Sequence, residues 1–423
     1  MSPQDVATAA GHRASGTMTN TVWSGVVSRF RRSLARLYNE RDFFRPYEIL
    51  LALPGFHLMD NFQKSGWKRA LFIASRAVLL LQYAIWLVRF YMAMCEAPGH
   101  EGKALHYGNT VGVLTMMLAR MLVVRWYLPN VQCLMRYLRR QRSRQGRTGD
   151  GTYRKILNIA LTFQAIGLAD RVVFCFSRTY REELYKLPVN SMELGWPMVV
   201  ALHVLSFDFA SRWAAAYNVS LTGMNSIMMG LYDELADIAA EYGQLFNGRS
   251  DGGGFWDCLD RNVVRTVQRH ETFLAQLAQL KPFLRTTFLM MFYSASLFIA
   301  LGTFMITANG TSTYDVILSG FLSALLLECY WCCQLVDRLN ELNAHIGKLL
   351  YNMEWPMELR YTEEDAALYR QARSSLLIMM SKTQQRLGIS CGGIFEMSRE
   401  AFANLMKITY TMLMFLRDTQ NFV

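Results

Sequence analysis

Residues 286–314 carry no Asp, Glu, Lys or Arg, and the stretch from Leu289 to Ile306 is almost wholly apolar. A helix of about 20 such residues spans the hydrocarbon core of a bilayer, whereas a soluble core helix of that length would keep one charged face. This run therefore predicts a membrane protein, and the composition agrees. Hydrophobic residues make up 52% of the 423, and charged residues only 18%, against roughly 25% in soluble globular chains. With 25 Phe, 25 Met and 20 Tyr, the chain cannot stay solvated as a disordered, collagenous or rod-like polymer. The net charge of +11 could indicate nucleic acid, but in so apolar a chain it reads as the basic bias of cytoplasmic loops, and no nucleic-acid partner is expected.

Charge-poor stretches predict seven spans, near 70–92, 105–124, 154–177, 195–218, 284–307, 315–336 and 394–417. Residues 213–232 are also charge-free and could count as an eighth. One long helix through 195–243 is the preferred reading, because Pro197 falls in the first turn and no proline follows it. Loop charges alternate. Residues 1–69 carry ten Lys/Arg and 125–155 carry nine, against one (Lys103) in 93–104 and none in 308–314. The alternation predicts a cytoplasmic amino terminus and, with seven spans, an extracellular carboxyl terminus. The start of the chain shows no signal peptide. Asn309-Gly310-Thr311 is an acceptor sequon on the predicted outer side, whereas Asn218-Val219-Ser220 falls inside.

Two stretches are amphipathic rather than uniformly apolar. Leu259, Val263, Val267, His270, Leu274 and Leu277 share one helical face, and Leu335, Leu339, Leu342, Ile346, Leu349 and Met353 form a heptad seam. Packing within the chain and a contact between subunits both fit the seam, and either implies a helical bundle projecting into the cytoplasm. Thr362 and Asp365, with Glu363 and Glu364, open a further helix. Gly388, Gly392 and Gly393 break it before the last span.

Charges inside spans need partners. Asp208 and Arg212 stand four residues apart on one helix, Asp170 can pair with Arg171 or a neighbour, and Arg76 and Arg89 can reach the two faces. Cys329-x-x-Cys332 resembles half of a metal or redox site, but it has no second pair and an apolar setting, so buried packing is expected. No phosphate-binding loop, dinucleotide fingerprint, HExxH or nucleophile elbow is present, so neither catalysis, metal nor cofactor is predicted.

The carboxyl-terminal third resembles a known family. Tyr351-Asn352-Met353-Glu354-Trp355 precedes an acidic helix, followed by Cys391-Gly392-Gly393-Ile394-Phe395-Glu396-Met397-Ser398, Phe402, Thr409-Tyr410-Thr411 and Phe415-Leu416. This order is similar to the insect odorant receptors, and Pro46-Tyr47-Glu48-Ile49-Leu50 is similar to their membrane-lying first helix. The resemblance implies an all-α subunit with seven spans. Residues 1–68 would form an amino-terminal segment, 69–336 six spans with cytoplasmic extensions, 337–390 a cytoplasmic anchor and 391–423 the pore-lining helix. It further implies a heterotetramer with a shared co-receptor, gated by a small volatile in the dendritic membrane of an olfactory neuron. The narrow outer pore would fall at Phe415, Asp418 and Thr419. The co-receptor of the family carries aliphatic gate residues where Phe415 and Thr419 stand, so a pore made by this chain alone is not expected. Gustatory receptors share the topology. A G-protein-coupled receptor is the more distant alternative, suggested only by Asp170-Arg171-Val172 and opposed by the loop charges.

The same resemblance projects the odorant pocket onto Tyr107, Val111, Leu114, Phe174, Met198, Leu202, His203, Ile317 and Phe321, in the outer halves of spans two, three, four and six. A mostly apolar cavity with a few polar groups suits a volatile, and aromatic faces with Met sulfur suit a flat aromatic one. Each of these residues also fits ordinary helix packing. His203 is the sharpest candidate, since an imidazole in an apolar span requires a partner.

Overall fold

The computed structural model describes residues 28, 42, 44–52, 54–55, 66–95, 101–145, 154–155, 157–159, 161–162, 164–166, 169, 195–246, 255–309, 313–353, 359, 361, 363 and 365–421. Helices dominate these residues. They are α1 (Arg45–Ala52), α2 (Gly66–Cys95), α3 (Glu101–Trp126), α4 (Leu128–Gln145), α5 (Trp196–Gly243), α6 (Phe255–Asn309), α7 (Thr313–Asn352), α8 (Ala366–Thr383) and α9 (Arg399–Asn421). Short helical pieces lie between Arg154 and Ile166, within the third predicted span. The rest of that span lies outside the described residues, as does the pair Asp170 and Arg171.

By length and composition, α2, α3, α6 and α7 are apolar enough to cross a membrane. α2 shows how such a helix sits in lipid. Leu71, Ile73, Leu80, Leu81, Val88 and Tyr91 all point away from the bundle, which in lipid costs nothing, because the tails are as apolar as the side chains. α5 is different in kind. It runs unbroken as one helix of 48 residues, as expected from its single early proline. At 1.5 Å per residue it is about 72 Å long, far beyond the hydrocarbon thickness. From Ala215 to Met228 every residue is buried, so the helix is enclosed on all sides. Gly223 is one reason the enclosure closes. A Cβ there would stand 2.4 Å from the Tyr47 ring, and α1 therefore packs directly on the α5 backbone.

The amphipathic stretches are continuations of spans, not separate helices. α6 passes through Pro282 without ending. Proline cannot donate to the preceding turn, and in that turn the carbonyl of Gln279 takes a bond from Asn130 Nδ2 at 2.8 Å. The seam on α7 turns out to pack inside the chain. Leu335, Leu339 and Ile346 are fully buried, and Leu342, Leu349 and Met353 pack against the same core. Asn343 ties α7 to the end of α8 by donating to the carbonyls of Thr383 and Gln385 at 3.0 and 2.9 Å.

The predicted glycine break is a small hairpin, the one strand pair among the described residues. Ser390–Cys391 pairs antiparallel with Phe395–Glu396. Gly392 and Gly393 have φ of +60° and +81°, and Ile394 N–H bonds back to the Cys391 carbonyl at 2.9 Å. Two consecutive left-handed residues form the turn whose twist matches a hairpin, and glycine adopts it without strain. The last span consequently starts at Arg399, later than residue 394. Ser398 Oγ caps it by accepting from Ala401 N–H at 3.1 Å. Arg399 fastens this start to α7 through Asp337 and Glu341, at 3.0 and 2.6 Å.

Candidate functional site

α3, α5 and α7 begin at the same end of an alternating bundle, so their first turns surround one region. On α3, Tyr107, Val111 and Leu114 recur at four and three residues and form one stripe. Val111 and Leu114 are buried and Tyr107 is half-buried. The Tyr107 ring lies 5.9 Å from Trp86 of α2. Trp86 in turn contacts Phe209 of α5 at 5.8 Å, and Phe209 contacts Trp213 at 5.9 Å. An aromatic wall therefore joins three helices. On α7, Phe321 is half-buried with its ring 5.9 Å from Tyr217 of α5. Met198, Leu202 and His203 occupy the first two turns of α5 and Ile317 the second turn of α7; their side chains, like all of Phe174, lie outside the described residues.

Beneath this region the helices are clasped by charge. Arg120 Nη1 of α3 meets both oxygens of Glu328 on α7, at 2.8 and 2.9 Å. Tyr217 Oη donates to Glu328 Oε2 at 3.1 Å. The pair is 2% exposed on each side. Arg120 also lies over the Tyr217 ring, 5.8 Å from its centroid. Arg120 stands 13 residues past Tyr107, about 20 Å along the helix, so the triad forms the floor under the aromatic wall. Tyr217 touches both layers, ring against Phe321 and hydroxyl on Glu328. Nε and Nη2 of Arg120 have no partner among the described residues, leaving two donors in an apolar surround.

The Asp208–Arg212 pair forms as expected, at 2.8 Å. It is embedded more widely than the sequence suggests, since Gln82 donates to Asp208 at 3.0 Å and Arg212 reaches Ser75. Arg76 donates to the Gly55 carbonyl at 2.7 Å, and Arg89 lies over Trp86. Spacing along the chain does not single out Trp86, Phe209, Trp213, Tyr217, Arg120 or Glu328. A signal for two of these was present, because Arg120 and Glu328 are lone opposite charges in apolar spans, and each demands a partner from another helix.

On α9, Ala401, Leu405 and Thr409 are buried against the bundle, with Thr409 Oγ1 3.4 Å from Ser296 Oγ on α6. Ile408, Met412 and Phe415 are exposed, Phe415 at 67%, and Asp418 is exposed as well. Thr419 lies on the helix backbone, and Asn309 is the last residue of α6; neither side chain is described. The three cysteines 329, 332 and 333 are buried and unpaired, which fits packing. The Cys391 thiol is pushed up to about 11 by burial, and stays protonated.

Long, partly enclosed helices with a lipid-facing α2 define an all-α membrane protein. A family model described as the 7tm odorant receptor matches residues 109–410, and the chain belongs to that family. Among curated relatives, it is 21% identical over 152 residues to putative odorant receptor 59c of Drosophila melanogaster, covering 36% of this chain and 34% of that one. It is 20% identical over 162 residues to odorant receptor 10 of Aedes albopictus, covering 38% and 40%. The matches thus span about two fifths or less of these relatives. The fold is that of the olfactory receptor OR5 of Machilis hrabei in complex with eugenol, with a TM-score of 0.68 at 13% identity over 90% of this chain and 99% of that one. A second structure of OR5 gives a TM-score of 0.58 at 13% identity over 92% and 98%.

Proposed function

We propose that this chain is the ligand-selective subunit of an odorant-gated cation channel, assembled with a shared co-receptor as a heterotetramer. Its ligand is a small, neutral, mostly aromatic volatile held between the outer halves of spans two, three, four and six. The observation that carries this reading is the aromatic wall of Tyr107, Trp86, Phe209 and Trp213 standing above a closed polar floor. Flat rings gain from edge and face contacts with such a wall. A ring burying roughly 150–200 Å² gains a few kcal/mol, and one hydrogen bond adds about 1 kcal/mol. That total suits micromolar sensitivity once association costs are subtracted. The Machilis receptor of the same fold, described with eugenol, a phenol, supports the choice of ligand class.

The amino terminus lies inside and the carboxyl terminus outside, in the dendritic membrane of a sensory neuron. Residues 337–390 act as the cytoplasmic anchor and 391–423 as the pore helix, with Phe415, Asp418 and Thr419 at its narrow end. The two-faced packing of α9 fits this assignment, with Ala401, Leu405 and Thr409 against the bundle and Ile408 and Met412 turned outward. His203 orients polar ligands within the pocket, together with Met198, Leu202, Phe174, Ile317, Val111, Leu114 and Phe321.

Two measurements decide the matter. Expressed with the co-receptor, the chain should give odorant-evoked current, and alone it should give little; robust current from the chain alone would overturn the assembly. His203→Ala should shift the dose–response for polar aromatics more than for their hydrocarbon analogues. Equal shifts would assign His203 to packing, and preference for charged amines or carboxylates would overturn the pocket.

A further inference from the structure

A cavity of about 560 Å³ opens between α4 and the extramembrane parts of α5 and α6, on the side read as cytoplasmic above. Four of its lining residues are arginines, Arg136 and Arg140 from α4 and Arg265 and Arg269 from α6. Arg269 is held in place from behind. Glu234 takes both Nε and Nη2 at 2.9 Å, and Glu241 takes Nη1 at 2.5 Å. Tyr137 donates to the same Glu234 at 3.0 Å. The other three are not neutralised in this way. Arg136 donates only to the Gln132 carbonyl of its own helix, and no bond or ion pair engages Arg140 or Arg265 among the described residues. Setting the two carboxylates on Arg269 against four guanidinium groups leaves an excess of two positive charges around one concavity. Gln268 adds an uncharged donor to its wall, while the Thr272 hydroxyl already donates to the Gln268 carbonyl at 2.7 Å.

We propose that this cavity binds a multiply phosphorylated anion. Like charges gathered in a cleft repel one another and focus a positive potential, an arrangement that an anion relieves. Guanidinium forks match phosphate oxygens in pairs, and phosphates can bridge forks that arrive from two helices. The volume falls within the range of small-molecule sites. Glu241 is the opposing feature, for its Oε2 is buried without a partner. It favours a ligand that keeps its phosphates on the Arg140 and Arg265 side.

Phosphate could come from a lipid headgroup or from a soluble compound, and depth favours the soluble source. Arg265 precedes the start of its span at residue 284 by 19 residues, about 28 Å of helix. Arg140 lies 14 residues past Trp126, about 21 Å. Headgroups extend only about 5–8 Å beyond the hydrocarbon.

The test uses the full-length receptor purified with its co-receptor. Inositol hexakisphosphate is the soluble probe, and nanodiscs with or without phosphatidylinositol 4,5-bisphosphate are the lipid probe. Hexakisphosphate should raise the melting temperature and bind at micromolar concentration, more weakly as salt rises. Arg140→Gln with Arg265→Gln should weaken binding about tenfold or more per arginine, while Arg140→Lys with Arg265→Lys, which keeps the charge and loses the fork, should weaken it by less. A response confined to the phosphoinositide nanodiscs, and lost in the glutamine variant, would keep the site and reassign its source to the membrane. No response of the wild-type complex to either probe would overturn the proposal. So would equal binding by the glutamine variant, or binding of an acidic peptide in preference to phosphate. Should the glutamine variant fail to purify, Arg140→Gln alone gives the same comparison.

Discussion

α2 and α5 both cross the membrane layer, and they invert what hydropathy teaches for soluble proteins. α2 has a strongly apolar span that is largely exposed, with Leu81 at 59%. α5 carries Asn218, Ser220, Thr222, Asn225 and Ser226 in a stretch that is buried all round. In water the apolar helix would be the interior one. In lipid the exterior is itself apolar, so hydropathy reports contact with lipid, whereas the enclosed stretch of α5, most of it past the end of its span at residue 218, carries polar and small residues that let helices approach. Asn218 Nδ2 donates to Gln164 at 3.1 Å, whereas Asn218 Oδ1 and the side chains of Thr222, Asn225 and Ser226 have no hydrogen-bond partner among the described residues.

The largest test of this contrast is the Arg120–Glu328 pair. Glu328→Ala strands a buried guanidinium and should cost about 3–5 kcal/mol, seen as lost surface expression and a lowered melting temperature in detergent. Replacing both residues with Met and Leu should restore most of that stability. A double variant as damaged as the single one would show that the pair does not act as a pair.

Leu231→Ala comes next. Leu231 is wholly enclosed on α5, and truncation there should cost about 2–5 kcal/mol through the cavity it leaves. Thermal denaturation of the purified complex measures it, and a loss below about 1 kcal/mol would mean that the enclosure is loose. Third, Gly223→Ala pushes a methyl group into the Tyr47 ring and should cost about 1–3 kcal/mol. Tyr47→Leu should recover part of that loss when the two are combined, because the clash is then removed. Additive losses would place the strain elsewhere. The smallest effect is expected on α2, where Leu81→Ala should change stability by less than about 0.5 kcal/mol. A loss comparable to that of Leu231→Ala would mean that this face of α2 is covered in the assembly, and the comparison would have to be redrawn around a subunit contact.

How much was legible follows from range. Everything set by local spacing was readable: the unbroken helix after Pro197, the Leu259 to Leu277 face, the Asp208–Arg212 pair one turn apart, and a break at Gly388, Gly392 and Gly393. Tyr107, Val111 and Leu114 share one face of α3, as four-and-three spacing requires. What opposes that face was not readable. Trp86, Phe209, Trp213 and Tyr217 join the site by helix rotation and depth, and Arg120 finds Glu328 across 208 residues of chain. No spacing encodes such a pairing.

The sequence alone therefore determined that this chain enters a membrane, where most of its described helices run, and which family its carboxyl-terminal motif belongs to. These follow from solvation of each residue and from periodicity along one helix, both local quantities. Tertiary structure decided that the α7 seam closes within the chain, that the glycines make a hairpin holding the last helix to α7, and that four arginines from two distant helices face one cavity. Those outcomes depend on which faces meet, and that is settled by packing and charge pairing between segments far apart in sequence.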